Sequence, residues 1–219
     1  CIRDREDAGL PVGLVTGGQA ICWLDIEVRG QAAHAGTTPM PLRHDALFGV
    51  GEMITALEQL SRDFAPKGLV TVGQLQIARS SRNTIPGHVA FTLDLRHHED
   101  AAIADMEANA RALIDQVATK RGLEVQINRH WLSPATPFNP ACIDAVRKAI
   151  EGLGYPYQPI VSGAGHDAIH LARHCPTTMV FIPCVGGLSH NEAEDALPND
   201  VTMGCDVLLN AVLTRADRR

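Results

Sequence analysis

The sequence predicts an α+β fold: a split βαβ domain with a four-stranded antiparallel sheet and two helices on one face, flanked by an incomplete α/β region. Three observations carry this reading. Apolar residues alternate in 22–29 and 89–95, and two further stretches, 68–77 and 123–131, also read as strands. Apolar residues recur at three and four residues in two more stretches. The order of the six is strand, helix, strand, strand, helix, strand. The 219 residues suffice for one large domain or two small ones, and 45% hydrophobic with 20% charged residues are ordinary values for a folded protein.

Taken in order, GLPVGLVTGG (9–18) reads as a short apolar strand bounded by glycines. Cys22, Leu24, Ile26 and Val28 then alternate with Trp23, Asp25, Glu27 and Arg29, a half-buried strand. After the loop GQAAHAGTTPM, Leu47, Val50, Met53, Ile54, Leu57 and Leu60 form a helical stripe. Strands follow over 68–77 and 88–96, the second with Val89, Phe91, Leu93 and Leu95 on one face. A second helix is predicted over 100–119 and a last strand over 123–131. SPATPFNP (133–140) reads as a proline-rich hinge. Beyond it come helix 141–153, the loop SGAGHDA, helix 169–174, the strand TTMVFI, the loop GGLSHNEAED and helix 199–215. Two or so strands there cannot make a doubly wound sheet, so this region reads as incomplete.

A net charge of −6 without a basic tract argues against nucleic acid. No apolar run approaches the roughly 18–20 residues that span a bilayer, and no signal peptide is visible. The six cysteines form no CxxC pair and are read as reduced, mostly buried thiols of a cytoplasmic protein.

Four stretches carry candidate chemistry. His190 follows a strand end in a glycine-rich loop, the position of a metal ligand or of a locally bonded loop histidine; Glu192, Glu194 and Asp195 beside it are orienting carboxylates or a solvated acidic loop. Gly163 and Gly165 precede a helix start, where backbone N–H groups favour an anion or an oxyanion, or where Asp167 simply begins a helical turn. His34 sits among small residues, as a donor to substrate or as part of a permissive turn. Asn83 and Arg96 make an amide and a fork suited to a carboxylate, or a surface pair at the sheet edge. His97, His98 and His130 are read as solvated strand-end histidines; His170 and His174 have metal-compatible spacing but no third ligand.

Together GQAAHAGTTPMPLRHDAL, SRNTIPGHVAFTLDLRHHED, SGAGHDAIHLARH and GGLSHNEAED resemble the hydantoinase/carbamoylase type of amidohydrolase. Its members include N-carbamoyl-L-amino-acid hydrolase, β-ureidopropionase and allantoate amidohydrolase, in the wider group of zinc aminoacylases and dinuclear metallopeptidases. The four motifs stand in the family's order and cover essentially the whole chain. The resemblance implies a ferredoxin-like lid and dimerisation domain over 20–132, a remnant of a catalytic domain over 1–19 and its C-terminal part over 133–219. It implies two divalent ions (Zn, Mn, Ni or Co) that activate a water, with a glutamate as general base. The implied reaction is hydrolysis of the carbamoyl C–N bond of an N-carbamoyl-L-amino acid by a cytoplasmic homodimer paired through the lid. By the same resemblance His190 is a metal ligand and His34 the catalytic donor that steadies the oxyanion across the dimer. Asn83 and Arg96 grip the substrate carboxylate, and Gly163 and Gly165 give backbone contacts.

The sequence departs from the family in lacking its other ligands: a His-x-Asp motif, a bridging aspartate, a Glu-Glu pair and a His-Ile-Glu-Gln-Gly segment. REDAGLPVGLVTG, from Arg5, looks like the stretch just after the last of these. The chain therefore reads as starting about halfway along its parent, inactive and unable to hold both metals alone, with apolar faces left exposed. Two alternatives stand beside this: an allantoate or β-ureidopropionate substrate, and a non-catalytic dimerisation module.

Overall fold

The computed structural model describes residues 9–79 and 81–216. The stretch Arg5–Ala8, the thiol of Cys1 and the first eight residues of the expected 1–19 remnant lie outside them. In chain order the strands are β1 (Val12–Gly18), β2 (Ala20–Arg29), β3 (Ala33–His34), β4 (Leu69–Ile77), β5 (Thr84–Ile85), β6 (His88–His97), β7 (Glu124–Ser133), β8 (Thr136–Pro137), β9 (Tyr157–Ser162) and β10 (Met179–Phe181). The helices are α1 (Ala46–Asp63), α2 (Asp100–Arg121), α3 (Pro140–Leu153), α4 (Asp167–Leu171) and α5 (Pro198–Ala216). The fold is α+β, in two compact units: Ala20–Ala135, and the residues up to Gln19 together with those from Thr136 on.

In the unit Ala20–Ala135 four antiparallel strands lie in the order β4-β6-β2-β7. The period of two puts Cys22, Leu24, Ile26 and Val28 on one face with Val89, Phe91, Leu93 and Leu95, all buried. That face packs against Val50, Met53, Leu57 and Leu60 of α1 and Ile103, Met106, Ala110 and Ile114 of α2. Local signals set the helix ends. The Asp45 carboxylate caps α1 by accepting from the N–H groups of Leu47 (3.0 Å) and Phe48 (3.1 Å). Gly122, at φ +63°, ends α2 in the left-handed conformation that glycine adopts without strain.

In the other unit β1 is the central strand. It pairs antiparallel with β10 and β8 and parallel with β9. Val12 and Leu14 pack with Val146, Ala149 and Ile150 of α3 and Val207 and Ala211 of α5. Val15, Phe138 and Ile169 form a second, smaller cluster. Asn139 caps α3, with Pro140 at the first helical position, where its missing N–H costs nothing. Helix α5 also exposes Leu208, Leu209, Val212 and Leu213. Among the described residues no helix is long and apolar enough to cross a membrane.

Several expectations need correction. The region beyond residue 133 contains β9, absent from the sequence reading because Pro159 interrupts YQPIVS. Among the described residues β9 pairs only with β1, so it is an edge, where proline is tolerated. The hinge 133–140 is partly ordered as β8 and the α3 cap. Helix 169–174 is instead the five-residue α4. His97 is not solvated: it is 7% exposed, packed edge-on against Phe64, with its Nδ1 accepting from the Glu99 N–H at 3.0 Å.

The thiols are also not mostly buried. Of those described, Cys22 is buried, Cys142 and Cys184 are intermediate, and Cys175 and Cys205 are exposed. Burial, reinforced by the neighbouring Glu107 carboxylate, pushes the Cys22 thiol up to about 12. For Glu107, burial alone would favour the neutral acid. Hydrogen bonds from Arg111 (2.8 Å) and Arg129 (3.1 Å) outweigh it and hold the carboxyl below its usual range. Cys22 therefore stays protonated and inert at any physiological pH. With a thiol-alkylating reagent on the native 219-residue chain, Cys175 and Cys205 are expected to label and Cys22 only after unfolding, as read by peptide mass spectrometry. Native labelling of Cys22 at the rate of Cys205 would contradict this core.

Candidate functional site

His190 lies in the unit built on β1. It lines a cavity of ≈ 370 Å³ together with Ser162, Ala164, His166, Phe181 and Glu194. The cavity opens where β9 and β10 end, beside the loops that leave them. His190 has φ +56°, a left-handed conformation that costs a non-glycine residue about 1–2 kcal/mol. Its loop holds it there. Glu194 accepts from the His190 N–H at 2.9 Å, Glu194 N–H donates to the Asn191 carbonyl at 3.0 Å, and Val185 N–H donates to the Asp195 carbonyl at 2.8 Å. Glu194 thus acts as a loop lock, bonded to the backbone of His190. Glu192 is exposed.

The SGAGHDA turn forms the facing wall. Ser162 is fully buried; its hydroxyl donates to the Ala164 carbonyl at 2.9 Å and accepts from the Ala164 N–H at 3.2 Å. The Gln19 amide donates to the Gly163 carbonyl at 2.8 Å from below. Ala164, between Gly163 and Gly165, is the turn residue that lines the cavity. Asp167 begins the five-residue α4 directly after this turn. The sequence reading also missed His166. Its ring lines the same cavity, tilted against Phe181 with centroids 5.3 Å apart. Its signal stands in SGAGHDA, where the histidine follows the two glycines that point to backbone chemistry.

The remaining candidates lie in the unit Ala20–Ala135, where the structure joins two and separates one. His34 (β3) pairs with Thr84 (β5), and the Ala35 N–H donates to the Asn83 carbonyl at 2.8 Å. Ser81 donates to Asn83 Oδ1 at 2.6 Å, and the Gly36 N–H donates to His34 Nδ1 at 3.0 Å. His34 and Asn83 are thus neighbours, both exposed, at the end of the sheet where Arg29 faces His88. Arg96 is at the opposite end, paired with Ile21 and Leu69. From His88 to Arg96 an extended strand covers about 27 Å. Asn83 and Arg96 therefore do not form one carboxylate receptor within this unit, contrary to expectation: the strand between them is fully extended. The Arg96 guanidinium donates to Asp94, at 2.6 Å through Nη2 and 3.0 Å through Nε.

A cavity with two imidazoles and an exposed His–Asn pair do not by themselves name a chemistry. The sequence pattern of peptidase family M20/M25/M40 matches residues 9–214. The chain belongs to that family. Within peptidase family M20/M25/M40 it is similar to an N-carbamoyl-L-amino-acid amidohydrolase of Rhizobium meliloti, 38% identical over 206 residues, which cover 94% of this chain and 50% of that protein. An allantoate amidohydrolase of Escherichia coli is 28% identical over 208 residues, 93% of this chain and 49% of that protein. The crystal structure of a hydantoinase/carbamoylase family amidase from Burkholderia ambifaria superposes with TM-score 0.90 at 56% identity, covering 97% of this chain and 51% of that one. The chain spans about half the length of the curated relatives it matches.

The peptidase family M20/M25/M40 generally uses divalent metal ions. Among the described residues, no three His, Cys, Asp or Glu side chains converge to hold one. Of the residues that line the cavity, His166, His190 and Glu194 are of ligand type.

Proposed function

We propose that these residues are part of a metal-dependent amidohydrolase that cleaves the carbamoyl C–N bond of N-carbamoyl-L-amino acids, operating as a cytoplasmic homodimer. The observation that carries the reading is His190, a left-handed histidine held in place by Glu194 at a cavity edge. Left-handed non-glycine residues cluster at functional sites, where the surrounding structure holds them. Similarity to relatives named for that activity supports the substrate class. The four-stranded unit is read as the ferredoxin-like lid (20–132), flanked by 1–19 and 133–219 of the catalytic domain. The β2-α1-β4-β6-α2-β7 order with sheet order β4-β6-β2-β7 supports this. In this reading His190 is one ligand to Zn, Mn, Ni or Co. Ala164 and the flanking Gly163 and Gly165 offer backbone contacts to substrate.

The division of the lid's groups has a consequence. A ureido acid a few ångströms long cannot reach Arg96 and the His34–Asn83 pair of one subunit, about 27 Å apart along β6. Two subunits can share them: Arg96 of one grips the carboxylate while the partner's His34 and Asn83 approach the carbamoyl oxygen. Strand β4 is an edge with Leu69, Leu75 and Ile77 exposed, a surface suited to pairing with a second copy.

Mixing tests this. Take the protein at its relatives' length with His34→Ala, and separately with Arg96→Ala, each nearly inactive. Mixed dimers keep one intact composite site. Subunit exchange is therefore expected to restore on the order of one quarter of wild-type hydrolysis. No recovery after verified exchange would contradict the shared site. The allantoate reading is favoured instead if allantoate is hydrolysed and N-carbamoyl-L-amino acids are not.

A further inference from the structure

We propose that Arg43 is the positioning residue that fixes the His34 imidazole as a hydrogen-bond donor of a single tautomer. The inference rests on the reading of His34 as a group that meets substrate. Arg43 follows the His34 loop and turns back onto it. Its Nε donates to the Thr38 carbonyl at 3.0 Å and its Nη2 to the Ala35 carbonyl at 2.5 Å. A planar guanidinium fork holds two carbonyls at once; a lysine ammonium offers one compact centre.

Those two carbonyls bracket the turn 35–38, which closes where the Thr38 N–H donates to the His34 carbonyl at 3.2 Å. Inside the bracket the Gly36 N–H donates to His34 Nδ1 at 3.0 Å. A ring nitrogen that accepts this bond carries no proton, so the proton of the neutral ring is on Nε2. Nε2–H is then the donor that the exposed ring presents. Its complement is an oxygen: a carbonyl, a carboxylate or a developing oxyanion.

Gly36 fits the same purpose. A Cβ there would lie 3.2 Å from His34 Cε1 and 3.5 Å from Nδ1, crowding the ring. The Ala35 N–H bond to the Asn83 carbonyl fastens the turn to β5, and the Asp45 cap fixes the chain just after Arg43 at the start of α1. Arg43 therefore ties the surface loop 35–38 to the capped start of α1. It acts on His34 through the loop and does not touch substrate.

The test is a long-range proton–nitrogen spectrum of the histidine rings in the ¹⁵N-labelled 219-residue chain, with His34 assigned from His34→Ala. Wild type is expected to show the Nε2–H pattern. Arg43→Ala is expected to show averaged ring shifts and faster exchange of the Gly36 amide, with Arg43→Lys between the two. An unchanged Nε2–H pattern in Arg43→Ala would overturn the proposal, as would an Nδ1–H pattern in wild type. If Arg43→Ala does not fold, Arg43→Gln, which keeps one donor, is read the same way.

Kinetics of the protein at its relatives' length separate this inference from the reading beneath it. Arg43→Ala is expected to lower kcat/KM on the order of 100-fold, the cost of a misplaced catalytic group. Added to His34→Ala it is expected to cost less than about twofold more, because its effect passes through His34. Fully additive losses would overturn the positioning role. A His34→Ala variant as active as wild type would instead remove the functional reading, and the ring spectrum alone would then decide Arg43.

Discussion

Replacing His190 with alanine in the protein at its relatives' length is expected to remove one metal ion per subunit and lower hydrolysis by more than about 100-fold. Partners that merely orient a metal ligand cost about 10–100-fold when lost, so a ligand itself costs more. The loop offers a control for folding. His190 has φ +56°, a conformation glycine adopts freely. His190→Gly relieves the backbone while removing the imidazole. It is expected to melt no lower than His190→Ala and to be equally inactive. His174→Ala, exposed and outside the cavity's lining, is expected to keep wild-type metal content and rate. Elemental analysis checks the claim: full metal occupancy in His190→Ala would remove His190 from the ligand set.

The second large effect is expected at Arg96. Its fork makes charge-assisted bonds, which are worth about 1.5–3 kcal/mol each. Arg96→Ala should therefore raise KM on the order of 10- to 100-fold, with a smaller change in kcat. Arg96→Lys keeps the charge without the fork and should fall between. The Arg96–Asp94 pair is about a quarter exposed, 26% and 24% by side chain, so thermal denaturation of Arg96→Ala is the control that separates lost binding from lost fold. Steady-state kinetics on an N-carbamoyl amino acid and on its carboxamide analogue decide the matter. Wild type should handle the carboxamide as poorly as Arg96→Ala handles the acid. An unchanged KM in Arg96→Ala would contradict the receptor.

Much of this architecture was legible because burial imposes periodicity. Leu24, Ile26 and Val28 alternate since one face of β2 is covered, and Val50, Met53 and Leu57 repeat since α1 covers it. The order of those periods gave the sheet and its helices. What lacks a period was hidden. Pro159 masked β9, because an edge position that tolerates proline leaves no mark in the sequence. Asn83 and Arg96 are close in sequence, yet β6 runs extended between them and sets them at opposite ends. His97 reads as a polar strand end, but Phe64 covers it from the end of α1. The motif residues His34 and His190 stood out by type and neighbours. The devices that hold them did not: the Arg43 bonds to two carbonyls and the Glu194 bond to a backbone N–H involve groups that any sequence contains.

The most direct measurement of the central claim is metal content by elemental analysis, paired with hydrolysis of an N-carbamoyl-L-amino acid. It is made side by side on the 219-residue chain and on the protein extended to its relatives' length. The longer protein is expected to hold about two divalent ions per subunit and to release the free amino acid, while the 219-residue chain is expected to do neither, since no three potential ligands converge among the described residues. Stoichiometric metal and turnover by the 219-residue chain alone would contradict the account and move the ligand set to other histidines and carboxylates of this sequence.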